Sequence, residues 1–188
     1  MDNPEQVLEH QLREQLALEE HLCRTIEEQI TGIDEVSFAD AKNLLRKTSL
    51  VLATHFASLN ALLDRVEQTA LTARNLVVAG NGVGPVTAME REQKKRQISK
   101  ILRDDYSALN LVTMSNALLH TTALALESGE VAALALKHLE NLAPLVVQMG
   151  ALVPEVVARE LHAESSTIDL SVAKTALKNM QLAWQKAS

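Results

Sequence analysis

Two pairs of potential metal ligands share one spacing in this chain. Glu20 and His55 lie 35 residues apart, and Asp105 and Glu140 are separated by the same 35 residues. Carboxylates and imidazoles are ligands that proteins use for divalent iron and manganese. The spacing fits residues that face each other on neighbouring antiparallel helices, so it predicts two helical hairpins that each carry one pair.

The chain lacks the motif that completes a two-iron site in a helical bundle. Such a site takes one acid from each of two helices and a Glu-x-x-His motif from each of the other two. Leu52 stands three residues before His55, and Ala135 stands three residues before His138. At most about four plausible ligands are present, whereas two bridged irons need about six. The count favours a lost or single-metal site.

The composition indicates one helical domain. The 188 residues are 47% hydrophobic and only 2% aromatic. Leu and Ala dominate, and both favour helix, whereas sheet proteins use more aromatic and β-branched residues. The net charge of −6, with both signs interspersed, gives no argument for a nucleic-acid partner. Cys23 is the only cysteine, which excludes an intrachain disulfide.

The sequence predicts a cytoplasmic protein without a membrane span. The acidic start, residues 1–5, does not resemble a signal peptide. Residues 106–127 carry no acid or base before Glu127 and are long enough to cross a bilayer. They also contain Asn, Ser, Thr and His side chains, which are costly in lipid. We interpret this stretch as a buried central helix.

Hydrophobic spacing predicts helices throughout the chain and no strand. The predicted parts form a single domain, namely a first hairpin at about residues 4–74, a glycine-rich crossover at about 75–87, a second hairpin at about 88–150 and C-terminal helices at about 151–187. The third helix is long, and its residues 91–103 are rich in Lys and Arg. This basic run is interpreted as a solvated helix face, with contact to an acidic partner as the alternative.

Capping signals and prolines predict where the helices begin and break. Ser37, Thr87 and Ser166 each precede an acid by three residues, which predicts a helix start at each of them. Pro144 falls inside the pattern of the fourth helix and predicts a kink or interruption there. Pro154 predicts a further break, with a short amphipathic piece after it.

Two segments resemble stress-associated bacterial ferritin-like proteins. Residues 102–109 (LRDDYSAL) followed by residues 135–140 (ALKHLE) look like that family's second hairpin. Residues 52–63, with His55 near their start, look like its second helix. The resemblance covers about residues 5–185. It implies a ferritin-like antiparallel four-helix bundle with a long third helix and an extra C-terminal helix.

The resemblance also implies one metal ligand from each helix of the bundle. The implied ligands, in chain order, are Glu20 (or Glu19), His55, Asp105 (or Asp104) and Glu140. The acid expected one turn before His55 and the histidine expected one turn after Glu140 are absent. We therefore expect no resident cofactor, with iron or manganese as the alternative. A surface glutamate and a hydrogen-bonded core histidine are the other interpretation of Glu20 and His55.

Three functional hypotheses follow. The first is a stress-related ferritin-like protein with a lost or reduced metal site, acting as a structural or interaction protein and not as an enzyme. The second is a metal-dependent oxidase or peroxide scavenger with an atypical iron or manganese site. The third is a signalling bundle in which His138 accepts phosphate. We expect a homodimer because the helices carry excess apolar positions, namely Leu142, Val146, Val147, Leu152 and Val153. We also expect a second, unidentified protein partner.

Overall fold

The protein is all-helical in the two ranges that the computed structural model describes, residues 4–73 and 97–187. The helices are α1 (Pro4–Ile30), α2 (Ala39–Ala73), α3 (Ile98–Ala125), α4 (Gly129–Glu164) and α5 (Val172–Ala187). No strand occurs within these ranges. The all-α prediction is therefore confirmed.

Leucine-rich stripes on the first four helices face a shared interior. On α2, Leu45, Leu52 and Leu59 recur every seven residues and are at most 1% exposed. Seven residues make almost two helical turns, so these side chains lie on one face. Full burial of each such side chain contributes about 1.5–3 kcal/mol. The cores of α1 and α4 follow the same spacing.

The contacts between helices determine their directions. Helices α1 and α4 each pack against both α2 and α3, and short connections make α1–α2 and α3–α4 antiparallel. Lys47 contacts Gln148, and Arg65 pairs with Glu130, so α2 and α4 are also antiparallel. It follows that α2 and α3 run in the same direction.

Within the described ranges, the first hairpin consists of α1 and α2. Helix α2 starts two residues after Ser37, and the Asp34 carboxylate accepts the backbone N–H groups of Val36 and Ser37 just before it. The described part of α3 begins at Ile98. The predicted crossover, the predicted start at Thr87 and most of the basic run lie outside the described residues.

The prolines of α4 do not interrupt it, so the predicted break at Pro154 is wrong, and the interruption that was one of two predicted outcomes at Pro144 does not occur. Helix α4 runs without a gap from Gly129 to Glu164. Each proline removes a backbone N–H and leaves a carbonyl one turn earlier without its helical donor. Pro154 is itself buried, and Leu145 and Met149 between the prolines are at most 1% exposed. Burial of this face outweighs the local cost, since tertiary packing supplies most helix stability.

The last helix begins later than its capping signal predicts. Helix α5 starts at Val172, six residues after Ser166, and packs against α4. The Asp169 carboxylate accepts the backbone N–H of Ser171 in the preceding turn. The acid of the signal therefore begins the turn that leads into α5, where its carboxylate accepts a backbone N–H, and it is not the third residue of a helix that starts at Ser166.

One helix in the described ranges, α4, is long and apolar enough to cross a membrane by length and composition alone. The uncharged stretch at residues 106–127 lies mainly in α3. It is buried on one face only, because Leu109 and Leu119 are at most 2% exposed while Leu111 and Leu118 are more than half exposed. The predicted central helix is thus a helix with one free face.

Candidate metal centre

Three side chains with metal-ligating atoms meet in the interior of the four packed helices. They are Glu19 of α1, His55 of α2 and His138 of α4, and one ligand atom of each lies within 4.8 Å of the other two. Their residues are 0%, 2% and 1% exposed, respectively. Among the side chains that the structure describes, no other three His, Cys, Asp or Glu residues meet in this way.

Both imidazole rings present their Nδ1 atoms to the same carboxylate. Nδ1 of His55 lies 3.6 Å from Oε2 of Glu19, and Nδ1 of His138 lies 3.6 Å from Oε1. The rings stack in parallel, with centroids 3.7 Å apart and planes inclined by 3°. The N···O separations exceed the range of an N–H···O hydrogen bond. Both Nδ1 atoms and Oε2 of Glu19 therefore have no hydrogen-bond partner in the structure.

The outer nitrogens of the two rings are held by neighbouring side chains. Nε2 of His55 lies 3.1 Å from the Asn141 amide nitrogen, and Nε2 of His138 lies 3.0 Å from the Ser58 hydroxyl. The Ser58 hydroxyl also lies 2.9 Å from the backbone carbonyl of His55 and 3.2 Å from that of Thr54, so it can donate its proton to a carbonyl and accept from His138. In that tautomer His138 carries its proton on Nε2, and its Nδ1 lone pair faces Glu19. Metal-bound histidines are oriented in this way.

The Glu19 carboxylate is also fixed by two amides. Oε1 accepts the side-chain N–H groups of Gln15 at 2.6 Å and of Asn116, on α3, at 3.1 Å. All four packed helices therefore contribute to the cluster. The amide oxygens of Gln15 and Asn116 are buried without a donor. With Oε2 and the two Nδ1 atoms they make five unpartnered polar atoms, and each such group costs about 1–3 kcal/mol.

Burial and the contacts within the cluster shift the pKa values of Glu19 and His138 in opposing ways. Burial alone would raise the pKa of Glu19, but contacts with His138 and His55 and the Gln15 hydrogen bond lower it to about 2. Burial lowers the pKa of His138 from its ordinary value, although Glu19 opposes that shift. The Glu19 carboxylate is therefore ionised, while burial favours the neutral form of the His138 imidazole beside it. A buried charge of this kind requires a partner of opposite sign.

The structure places only one of the four predicted ligands, His55, in the cluster. Glu19, the alternative to Glu20, supplies the carboxylate. The Glu20 side chain is 39% exposed and pairs with Arg24 one turn later. Successive residues on a helix point about 100° apart, so only one of two adjacent glutamates can face the core.

The other two predicted ligands lie elsewhere. Asp105 is 2% exposed and accepts a hydrogen bond from Gln29, eleven residues or about 16 Å along α3 from Asn116. Glu140 is exposed on α4. Its helix supplies His138 to the cluster instead. The structure therefore does not bring Glu20, Asp105 and Glu140 together with His55.

Helical phase is the signal that identifies the cluster residues. Glu19 lies seven residues after Leu12 and seven before Ile26, both at most 1% exposed. His138 lies seven residues before Leu145, which is also buried. Both residues thus continue a core stripe, which Glu20 does not. His138, the residue of the phosphotransfer hypothesis, is accordingly inside the protein and not on its surface.

Comparisons with known proteins find no relative of this chain. No family model, no curated protein and no solved structure matches it. The resemblance to ferritin-like proteins stays a prediction.

Proposed function

We propose that the protein is a ferritin-like helical bundle that binds one divalent transition-metal ion between Glu19, His55 and His138. The observation that carries the proposal is the convergence of unpartnered polar atoms on the ionised Glu19 carboxylate. The helix directions support the bundle assignment. Parallel α2 and α3 require a long connection between the two hairpins, and ferritin-like folds have one such crossover.

The donor set suits a first-row transition metal. Two imidazole nitrogens with one carboxylate oxygen bind zinc in some sites and iron(II) in others. Two ligands on a tetrahedral ion, each about 2.1 Å from it, are about 3.4 Å apart. The 3.6 Å separations between the Nδ1 atoms and Glu19 are close to that value. The stacked rings must tilt out of parallel for both lone pairs to meet one ion.

The burial of the site favours a structural ion over a catalytic one. A catalytic metal keeps a position open to substrate, whereas a structural one is enclosed. None of the three ligands lines the surface pocket of about 640 Å³ or the one of about 340 Å³. The smaller pocket reaches the site only at Ser58. The ion would fasten α1, α2 and α4, and neither of these two pockets leads a substrate of the oxidase hypothesis to it.

The experiment that tests the proposal compares two adjacent glutamates. Metal-free protein is titrated with Co(II) and Zn(II), and with Fe(II) under anaerobic conditions, and the bound metal is measured by elemental analysis. We expect one ion per chain in the wild type and in the matched control Glu20→Gln. Glu19→Gln and His138→Ala should lose it. At an ion concentration of about 100 times Kd, binding should stabilise the wild type by about 2.7 kcal/mol.

Two results would contradict the proposal. One is a wild-type protein that holds no metal and has the same thermal stability with and without each ion. The other is equal binding by Glu19→Gln and by Glu20→Gln, which would locate the ion elsewhere. Far-UV circular dichroism of each variant establishes that it is folded before its metal content is compared.

A further inference from the structure

The outward face of α3 is apolar where a surface helix is normally polar. Leu111, Met114 and Leu118 are 56%, 60% and 63% exposed, respectively. Each follows a buried residue of α3 by two positions, which is about 200° around the helix. These side chains therefore point directly away from the core. Their spacing of three and four residues places them in one line.

This line continues along most of the helix without a charge. We define the α3 stripe as the outward positions Ser107, Leu111, Met114, Leu118, Thr121 and Ala125. Alternate spacings of three and four residues are those of the contact positions in a two-helix coiled coil. Large residues occupy the centre of the stripe and small residues its ends. Such a stripe suits close packing against one further helix.

The ends of the stripe carry opposite charges. Before Ser107 come an ion pair of Arg103 with Asp104, whose charges offset each other, and then Lys100; Glu127 lies just beyond the last residue of the stripe. Lys100 and Glu127 are both exposed, and neither forms an ion pair with another residue in the described ranges. An antiparallel copy of α3 would place each Lys100 near the Glu127 of the other chain, whereas a parallel copy would place like charges together. The stripe is therefore complementary to itself in the antiparallel direction.

We propose that this stripe is the contact surface for a second copy of the chain, with α3 packed against α3 of the partner in antiparallel orientation. A two-fold axis then passes near Met114. The stripe rises about 27 Å from Ser107 to Ala125. A contact of this length lies at the low end of interface sizes, so the dimer should form and dissociate with concentration.

The contact surface differs from the apolar positions that first suggested a dimer. Leu142 is 0% exposed, and Val146, Leu152 and Val153 pack against the core. Only Val147, at 71%, is strongly exposed. Most of those positions are therefore already occupied within one chain, whereas the large residues of the α3 stripe are exposed among the residues that the structure describes. The inference does not depend on the metal site, because no residue of the stripe contacts it.

Sedimentation velocity from low to high micromolar concentration tests the dimer. The wild type should shift from monomer to dimer, and the double variant Leu111→Glu/Leu118→Glu should raise the dissociation constant by about 100-fold or more, because it buries charges at the centre. Leu50→Glu is the matched control, since Leu50 is 70% exposed on α2. A wild type that is monomeric throughout, or a double variant that dimerises normally, would overturn the proposal.

Cross-linking tests the orientation. Met114→Cys should form a disulfide between two copies, and Cys23 does not interfere because it is buried. A mixture of Ser107→Cys and Thr121→Cys chains should cross-link Ser107→Cys to Thr121→Cys. Cross-links between two Ser107→Cys chains would show a parallel pair and overturn the proposal. Lys100→Glu should weaken the dimer, and adding Glu127→Lys should restore it.

Discussion

Asp105→Asn tests whether burial raises the pKa of a carboxyl group of α3 and so lowers the stability of the protein at neutral pH. Asp105 accepts a hydrogen bond from Gln29, yet Oδ2 of Asp105 and Oε1 of Gln29 are both buried without a partner. An acid proton supplies a donor to this pair of oxygens. The side-chain amide of asparagine supplies one at every pH.

The size of the effect follows from the pKa of Asp105. Burial, the largest cause, raises this pKa from 3.8 to about 6; the Gln29 hydrogen bond opposes the shift and Asp104 adds to it. Because the folded pKa is the higher one, the unfolded chain ionises first, and stability falls as the pH rises from about 4 to 6. Each pKa unit corresponds to 1.36 kcal/mol, so Asp105 costs at most about 3 kcal/mol at neutral pH.

The assay is urea unfolding followed by circular dichroism at a series of pH values. Near pH 4 the wild type and Asp105→Asn should have similar free energies of unfolding. At about pH 7 the variant should be more stable by about 2–3 kcal/mol, and the wild-type decline between these values should be absent from it.

Asp104→Asn is the matched control, because Asp104 is exposed and pairs with Arg103 at the surface. Its free energy of unfolding should stay within about 0.5 kcal/mol of the wild type. The reasoning would be refuted by an Asp105→Asn variant that is less stable than the wild type at neutral pH. It would equally be refuted by identical pH dependence of the two proteins.

Two further substitutions probe helix α4 and are measured by the same urea unfolding. Pro144→Ala should stabilise the protein by about 2 kcal/mol, because Pro144 is exposed and alanine restores a helical hydrogen bond. Pro154→Ala should stabilise it less, because Pro154 is buried and its ring packs in the core. Equal gains for the two variants would contradict the argument that packing stabilises Pro154. Gly150→Ala should stabilise the protein by about 0.5 kcal/mol, because alanine favours the helix more than glycine does. The new Cβ would lie 3.2 Å from the Tyr106 ring, which can move into the adjoining 640 Å³ pocket. A loss of stability above about 1 kcal/mol would show that the ring cannot move.

Helical spacing alone predicts the fold class and the core stripes, because residues such as Leu45, Leu52 and Leu59 repeat with the period of the helix. It also places His55 inside. The rule that proline breaks a helix did not predict the continuous α4 through Pro144 and Pro154, because burial of one face stabilises that helix. The local sequence around either proline does not show which residues from other helices will pack against it.

The candidate site was predicted only in part, for two physical reasons. Glu19 and Glu20 are chemically identical neighbours, and only their phase relative to Leu12 and Ile26 separates them. Asp105 has the residue type of a ligand, but its partner is an amide of Gln29 on another helix. Which side chain an acid meets depends on how two helices align, which spacing within one helix does not determine.

The polar cluster has a consequence for the alignment of the helices along their axes. Leucine-rich helices can slide by one turn, about 5.4 Å, and still place leucine against leucine. Such a slip of α2 would move Leu52 or Leu59 into the place of His55 and leave the Glu19 carboxylate against a hydrocarbon. The slip thus removes one of the contacts that hold this carboxylate ionised, and breaking a buried charged contact costs about 3–5 kcal/mol, a large part of the total stability of a domain. One carboxylate surrounded by side chains from four helices thus selects a single register among packings that leucine alone would leave nearly equal.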